Sequence, residues 1–545
     1  MGDPLSSFAM LKATVSRSDL CTLAMILTLV GTTGCRSWDE TKSFYLQDAN
    51  ALLHKRYPTA LRNHDLDEIL ELCSPELRRN STFVTRTKKF LAAFSQIDWA
   101  TCIIVDLEPY DGHGPAKARL DLAIHGVDQN GERRSHFREL EVEYARVGTE
   151  DSDLKITRET VVTQQDVSAP PTVFRDETNE RGLRNFPNIG TVLDRDGNPK
   201  DYLAGSGVAL GDLNSDGKDD IYFTNGNVCK LLINRDGTHF EDVTESAGCD
   251  GRMQNDNAKT RFALIADYDN DGRRDIFVGV LNGANLLYHQ NPDGTFTDVA
   301  SRAGLVPTLE TAAAVFGDFD RDGFLDLYVV NGRTPWIEEP EPVYNALNGF
   351  PNRLFMNNRD GTFRDTSVEA GVAHTGYGLS CAASDYDVDG DLDIFVGNDF
   401  GPDVLYRNRG DGTFEDVTRE SGMRYRGSTM GASWGDLDGD GYPELFASGM
   451  FSNSQWMIDQ PGYPAPAPWP ISWILRSQIL DILKEMFSGN MIYKNNSGQT
   501  FTRDFDVTQN TGWSWGSAFL DVDNDSHLDL YVVNGLKSGE DSRDL

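Results

Sequence analysis

Three observations predict a mainly β protein, a β-propeller of six to seven four-stranded blades preceded by a small α+β domain. A nine-residue acidic loop recurs six times, and each copy lies between two short apolar strands. First positions of successive copies are 55, 51, 67, 51 and 85 residues apart, so the underlying unit is about 50 residues, the size of one propeller blade. At 545 residues the chain exceeds one ordinary domain. Its 39% hydrophobic and 10% aromatic content suffices for packed cores.

In chain order, residues 1–35 read as a targeting segment. Lys12 and Arg17 precede the apolar run Leu20–Val30, which is too short to span a bilayer and suits a secretion signal. The run leads into "GTTGC", which resembles a bacterial lipobox. That resemblance implies cleavage before Cys35, lipid attachment to its thiol, and an anchored place in the cell envelope or periplasm. An ordinary cleaved signal and secretion are the alternative. Of the remaining cysteines, Cys229 and Cys249 flank one strand pair and read either as a bridge in an oxidising compartment or as small buried residues.

Residues 42–165 contain no acidic loop. Leu66, Ile69, Leu70 and Leu72 fall at helical spacing behind Asp65, which suits an N-cap. Alternating runs follow at "ATCIIVDLEPY", "KARLDLAIHGVD", "RELEVEYARVG" and "LKITRETVV", as in strands with one buried face. Helices followed by a meander indicate an α+β domain with a curved sheet. The passage "YPTALRNHDLDEILELCSPE" resembles the opening helices of the NTF2-like (SnoaL-like) cone fold. Some members of that superfamily are enzymes with Asp and His in the cone. The candidates near these helices, His54, His64 and Asp65, have no spacing that pairs them, and a surface or capping role is expected for them. Residues 166–172, with Pro170 and Pro171, read as a stiff linker.

The repeats occupy 173–545. Their loops are Asp212, Asn214, Asp216 and Asp220; Asp267, Asp269, Asp271 and Asp275; Asp318, Asp320, Asp322 and Asp326; Asp385, Asp387, Asp389 and Asp393; Asp436, Asp438, Asp440 and Glu444; and Asp521, Asp523, Asp525 and Asp529. These residues stand at loop positions 1, 3, 5 and 9. Position 6 is glycine in five copies and Ser526 in the sixth. Carboxylates within about 5 Å of one another repel by roughly 3 kcal/mol per pair at an effective dielectric of about 20. A hard cation that takes six to eight oxygens resolves that crowding, and Ca2+ is such an ion. An EF-hand would place its last acid at position 12 between helices; here the last acid is at position 9 and the flanks are strands. Asp-Gly turns, as in "NPDGTF" and "RGDGTF", mark the hairpin between third and fourth strands.

The repeats resemble the FG-GAP/VCBS repeats of integrin-type propellers, and most of all those that accompany an ASPIC/UnbV segment. The resemblance implies six calcium sites with structural ions and a backbone carbonyl ligand at position 7. Six bound Ca2+ would bring the formal charge from −35 to −23. Residues 172–183 read as a detached fourth strand that completes the last blade. Two insertions interrupt the repeat, at 333–351 and at 452–490. In the second, Leu475, Ile479, Ile482, Leu483, Met486 and Phe487 line one helical face.

The acidity argues against nucleic-acid binding, since phosphates would be repelled. No nucleophile elbow, phosphate loop or His-metal motif stands out. The expected function is therefore that of a non-enzymatic, extracytoplasmic module, binding, adhesive or scaffolding, that engages a protein or glycan. The membrane contact would be the lipid at Cys35, and the N-terminal domain is the candidate surface for pairing two copies. The alternative is a hydrolase or lyase acting on polysaccharide at the propeller face or in the NTF2-like pocket.

Overall fold

The computed structural model describes residues 51–108, 114–147, 154–168, 177–183 without 179, 206–252 without 227, 258–305, 310–332, 340, 345–449 without 424 and 427, 489–504, and 514–534 without 523 and 524. The targeting segment with Cys35, most of both insertions and Asp523 lie outside the described residues. Two compact units divide the chain, Met1–Pro171 and Thr172–Leu545.

The first unit begins with a π-helical turn, Ala51–Arg56, and four short helices: α1 (Tyr57–Arg62), α2 (Leu66–Glu71), α3 (Pro75–Arg78) and α4 (Ser81–Leu91). Side chains cap three of them. Asp65 Oδ1 accepts from the N–H groups of Asp67 (2.8 Å) and Glu68 (3.2 Å), as the sequence predicts; Ser74 and Asn80 do the same for α3 and α4. Four long antiparallel strands follow in consecutive order: β1 (Phe94–Leu107), β2 (Ala116–Asp128), β3 (Arg133–Arg146) and β4 (Leu154–Ser168). In β2 every second residue is buried, the period of a sheet with one covered face. Leu61, Ile69 and Phe83 from the helices share a single core with Leu120, Leu140 and Ile156 from the sheet. The expected linker starts too early. Asp166, Val167 and Ser168 still pair with His136, Ser135 and Arg134, because β3 is long enough to hold their backbone groups.

The second unit is a row of small antiparallel sheets, and it has the predicted propeller pattern. Four strands make the first blade: β5 (Ser206–Gly211), β6 (Asp220–Asn225), β7 (Val228–Asn234) and β8 (Phe240–Asp242), with a helical turn, α5 (Thr244–Ala247), behind it. The second blade is β9 (Lys259–Ala266), β10 (Asp275–Leu281), β11 (Leu286–Gln290) and β12 (Phe296–Asp298). In the third are β13 (Thr311–Gly317), β14 (Asp326–Asn331), β15 (Arg353–Asn357) and β16 (Phe363–Asp365). The fourth has β17 (Gly378–Ser384), β18 (Asp393–Asn398), β19 (Val404–Asn408) and β20 (Phe414–Asp416). β21 (Thr429–Gly435), β22 (Glu444–Gly449), β23 (Met491–Asn496) and β24 (Thr500–Asp504) form the fifth, and β25 (Ser514–Leu520) with β26 (Asp529–Asn534) is the described part of the sixth.

The first strands of successive blades run beside one another from β5 to β25. Apolar clusters fill the seams between them. One joins blades one and two around Tyr222 and Ile276; others join two and three around Phe277 and Leu327, three and four around Tyr328 and Ile394, and four and five around Phe395 and Leu445. At the two ends of the row large side chains are left open: Val208 and Leu210 on β5 are 61% and 63% exposed, and Tyr531 and Val533 on β26 are 49% and 41% exposed.

Residues 178 and 180–182 lie in turns, and the Arg181 carbonyl accepts from Phe240 N–H at 3.3 Å. Ala303, Ala370 and Ser421, each just after a fourth strand, accept in the same way from Phe363, Phe414 and Phe501 of the next blade. Arg181 thus occupies the position that follows a fourth strand, against blade one. Residues 172–176, where that strand would lie, are outside the described residues.

Candidate metal centres

All six acidic loops join the first strand of a blade to its second. Their shape comes from the acids themselves. The position-1 carboxylate receives at least two backbone N–H groups in every copy: Asp385, for example, accepts from Asp389 and Gly390, both at 2.9 Å. Asp521 does the same for Asp525 (3.0 Å) and Ser526 (2.8 Å). Position 6 needs a left-handed backbone, with φ +95° at Gly390, and Ser526 adopts φ +71° in its place. Position 4 is left-handed too: Ser215, Asn270, Arg321 and Val388 have φ between +57° and +59°. For β-branched Val388 this conformation is strained, which no local sequence pattern predicts.

Position 9 fastens the blade. Asp393 Oδ1 accepts from Asn408 N–H at 2.8 Å, and Oδ2 from Tyr386 N–H at 3.2 Å, so one carboxylate ties the loop to the third strand. Asp220 and Asp326 make the same pair of bonds, as does Glu444 with its longer side chain. Position 2 fastens one blade to the next. Its side chain enters the seam cluster, as Tyr268, Phe319 and Tyr386 do. Its carbonyl accepts from an amide at the end of the next blade's third strand: Gln290 to Leu213 O (2.6 Å), Asn357 to Tyr268 O (2.8 Å), Asn408 to Phe319 O (2.9 Å) and Asn495 to Tyr386 O (2.9 Å). Sequence reasoning missed this amide. The signal was present, since Gln or Asn closes the third strand of each of these units.

Positions 1, 3 and 9 converge. In the third loop Asp318, Asp320 and Asp326, in the fourth Asp385, Asp387 and Asp393, and in the fifth Asp436, Asp438 and Glu444 bring carboxylate oxygens within 4.8 Å of one another. Asp320 Oδ1 and Asp387 Oδ1 are buried there with no hydrogen-bond partner, which is costly for a carboxylate unless a cation lies beside it. Burial first, and then the neighbouring acids, push position 9 far above the usual carboxylate range, to about 7 at Asp326 and about 8 at Asp393. Asp320 and Asp387 are raised for the same reasons.

Position 5 faces differently. Its carboxylate accepts from the position-7 N–H, as Asp389 does from Asp391 at 3.0 Å. Asp322 is also held by Arg359 at 2.6 Å. In the second loop Asp267, Asp269 and Asp271 lie together, and Asp275 joins Asp269 and His289 instead. The first loop has its amide Asn214 among the acids, with Asp212 and Asp216 hydrogen-bonded as elsewhere and Asp220 fully buried. In the sixth loop Asp529 is exposed, whereas position 9 is buried in the other five.

Other predicted candidates take structural roles. His64, at φ +58°, contacts Leu91 O through Nε2 at 2.7 Å, and Asp65 is a cap. His54 has no described side chain. Cys229 and Cys249 are free and buried, beside Tyr222, which decides against a bridge; burial pushes the Cys249 thiol up to about 12. The sequence did not pair His136 with Asp166, yet Nδ1 of His136 meets Asp166 Oδ1 across β3 and β4.

Comparison with known proteins agrees with the repeat assignment. The family model of the FG-GAP-like repeat matches residues 267–329 and 385–447, which hold the second to fifth loops. Cartilage acidic protein 1 of Mus musculus is 29% identical over 203 residues, covering 36% of this chain and 29% of that protein. Its counterpart in Xenopus tropicalis is 30% identical over 200 residues, covering 34% and 28%. The chain thus matches under a third of the length of these relatives. Among solved structures, a lectin of Agrocybe aegerita that recognises non-reducing terminal N-acetylglucosamine is 17% identical, with a TM-score of 0.35, over 61% of this chain and 75% of that one.

Proposed function

We propose that the chain is a calcium-stabilised propeller serving as an extracytoplasmic binding module for a protein or glycan. The observation that carries the metal reading is the pair of partnerless buried oxygens, Asp320 Oδ1 and Asp387 Oδ1, inside converging carboxylates. An all-oxygen donor set on a tight loop suits Ca2+ rather than softer ions. The ions would act structurally, since the same loops carry the backbone bonds that join neighbouring blades. Lipidation at Cys35, placement in the cell envelope, an NTF2-like identity for the first unit and pairing of two copies through it complete this reading. All of these rest on sequence resemblance.

Calcium titration of the metal-stripped chain by calorimetry tests it. Binding near six ions per chain is expected, and Asp387→Ala should lower the count by one without unfolding the protein. Absence of calcium binding to the folded chain would end the proposal. A second reading, an enzyme in the first unit, is favoured by one feature. His136 is 3% exposed, its Nδ1 faces Asp166, and its Nε2 is buried without a partner. Polysaccharide cleavage lost in His136→Ala, with calcium binding intact, would support that reading over the first.

A further inference from the structure

The second loop differs from the others in one side chain. His289 stands on β11 just before the closing amide, where the other blades place Ile233, Met356, Arg407 and Lys494. None of those offers a free nitrogen lone pair at neutral pH. The imidazole reaches into the loop. Its Nδ1 lies 3.3 Å from Asp269 Oδ2 and 3.3 Å from Asp275 Oδ1. It nevertheless makes no hydrogen bond, and neither does Asp275 Oδ2, on a side chain only 1% exposed.

We propose that Asp269, Asp275 and His289 form a site for one first-row divalent ion of the Mn2+ or Zn2+ class, chemically distinct from the oxygen-only loops. Two donors bound to one ion at about 2.0–2.2 Å lie roughly 3.0–3.5 Å apart, and both nitrogen–oxygen separations fall in that range. Imidazole with carboxylates suits Mn2+ or Zn2+, whereas Ca2+ prefers oxygen. Arg273 holds Asp271 from the side and bonds the Gln290 carbonyl at 2.9 Å. Asp271 still lies with Asp267 and Asp269, and its Oδ2 is 3.9 Å from His289 Nε2, so the position-5 acid borders the site while Arg273 offsets part of its charge. The Tyr268 ring packs edge-on to the imidazole and limits its rotation.

This inference rests on the reading of the loops as cation sites, but its test is separate from calcium. The full chain, stripped and loaded with Mn2+, is exchanged into millimolar Ca2+ and examined by electron spin resonance. One retained Mn2+ per chain is expected, with spin-echo modulation from a directly bound 14N. In His289→Gln and His289→Met, the latter carrying the residue of blade three, retention should fall by at least about tenfold. Calcium stoichiometry at the other loops should stay unchanged. Complete displacement of Mn2+ by Ca2+, retention without 14N modulation, or equal retention in both variants would overturn the proposal. A chain that keeps its nitrogen-bound Mn2+ but binds no calcium would overturn the calcium reading alone.

Discussion

The two units solve the same problem of closing a β-rich core in opposite ways. In the first, strands of 13 to 15 residues and four helices enclose one apolar core, with side-chain caps on three of the helices. In the second, most strands have three to eight residues and no sheet has a core of its own. Each seam is shared by two blades, and buried carboxylates and amides stitch it. Long strands can rely on burial alone. Short strands leave strand ends and loop backbone in the interior, where every N–H and C=O needs a partner. The acids that supply those partners then repel one another, so the second unit depends on something outside the chain.

The sharpest way to break the comparison is to remove that dependence. Each cation site filled at a hundredfold excess over its Kd adds about 2.7 kcal/mol to the folded state. Chelation should therefore lower the melting temperature of residues 172–545 by the largest margin of any perturbation, and leave the first unit's transition in place. A single unchanged transition in chelator would refute it.

The same stripped protein should show an inverted pH response. Asp275, Asp326 and Asp393 are pushed up to about 7, about 7 and about 8. The folded state therefore holds protons that the unfolded chain releases from about pH 4 upward. Stability of the ion-free second unit is fullest near pH 4 and falls as pH rises to 8. Acids with lowered values, such as Asp236 and Asp293, act below this window. Melting followed from pH 5 to 8 checks the slope; a rising slope is the contrary result.

Smaller effects sharpen the contrast. Asn357→Ala removes the amide that bonds Tyr268 O and Leu325 O, leaving both carbonyls unpaired in the seam. A loss of about 1–3 kcal/mol is expected, confined to the second unit in denaturant unfolding. Asp65→Ala should cost about 1 kcal/mol, and only in the first unit; calorimetry that shows both transitions moving would mean that the units are coupled.

Much of this was legible in the chain because local chemistry is repetitive. The acid spacing brings Asp385, Asp387 and Asp393 into one loop, and Asp65 caps the helix it precedes. The Asp-Gly turns read correctly for the same reason. Harder to see were features that depend on a partner distant in sequence. Asn408 matters because Phe319 O lies opposite it, 89 residues away. His136 meets Asp166 only because β3 and β4 pair in one register.

By itself, then, the sequence determined the blade repeat, the six loops and the α+β character of the first unit, since each follows from periodicity and turn chemistry within a few residues. Tertiary structure alone decided which carboxylates are buried, which amides bridge the seams, and that His289 turns toward Asp269 and Asp275. Burial and donor geometry come from neighbouring strands, and no local pattern encodes those.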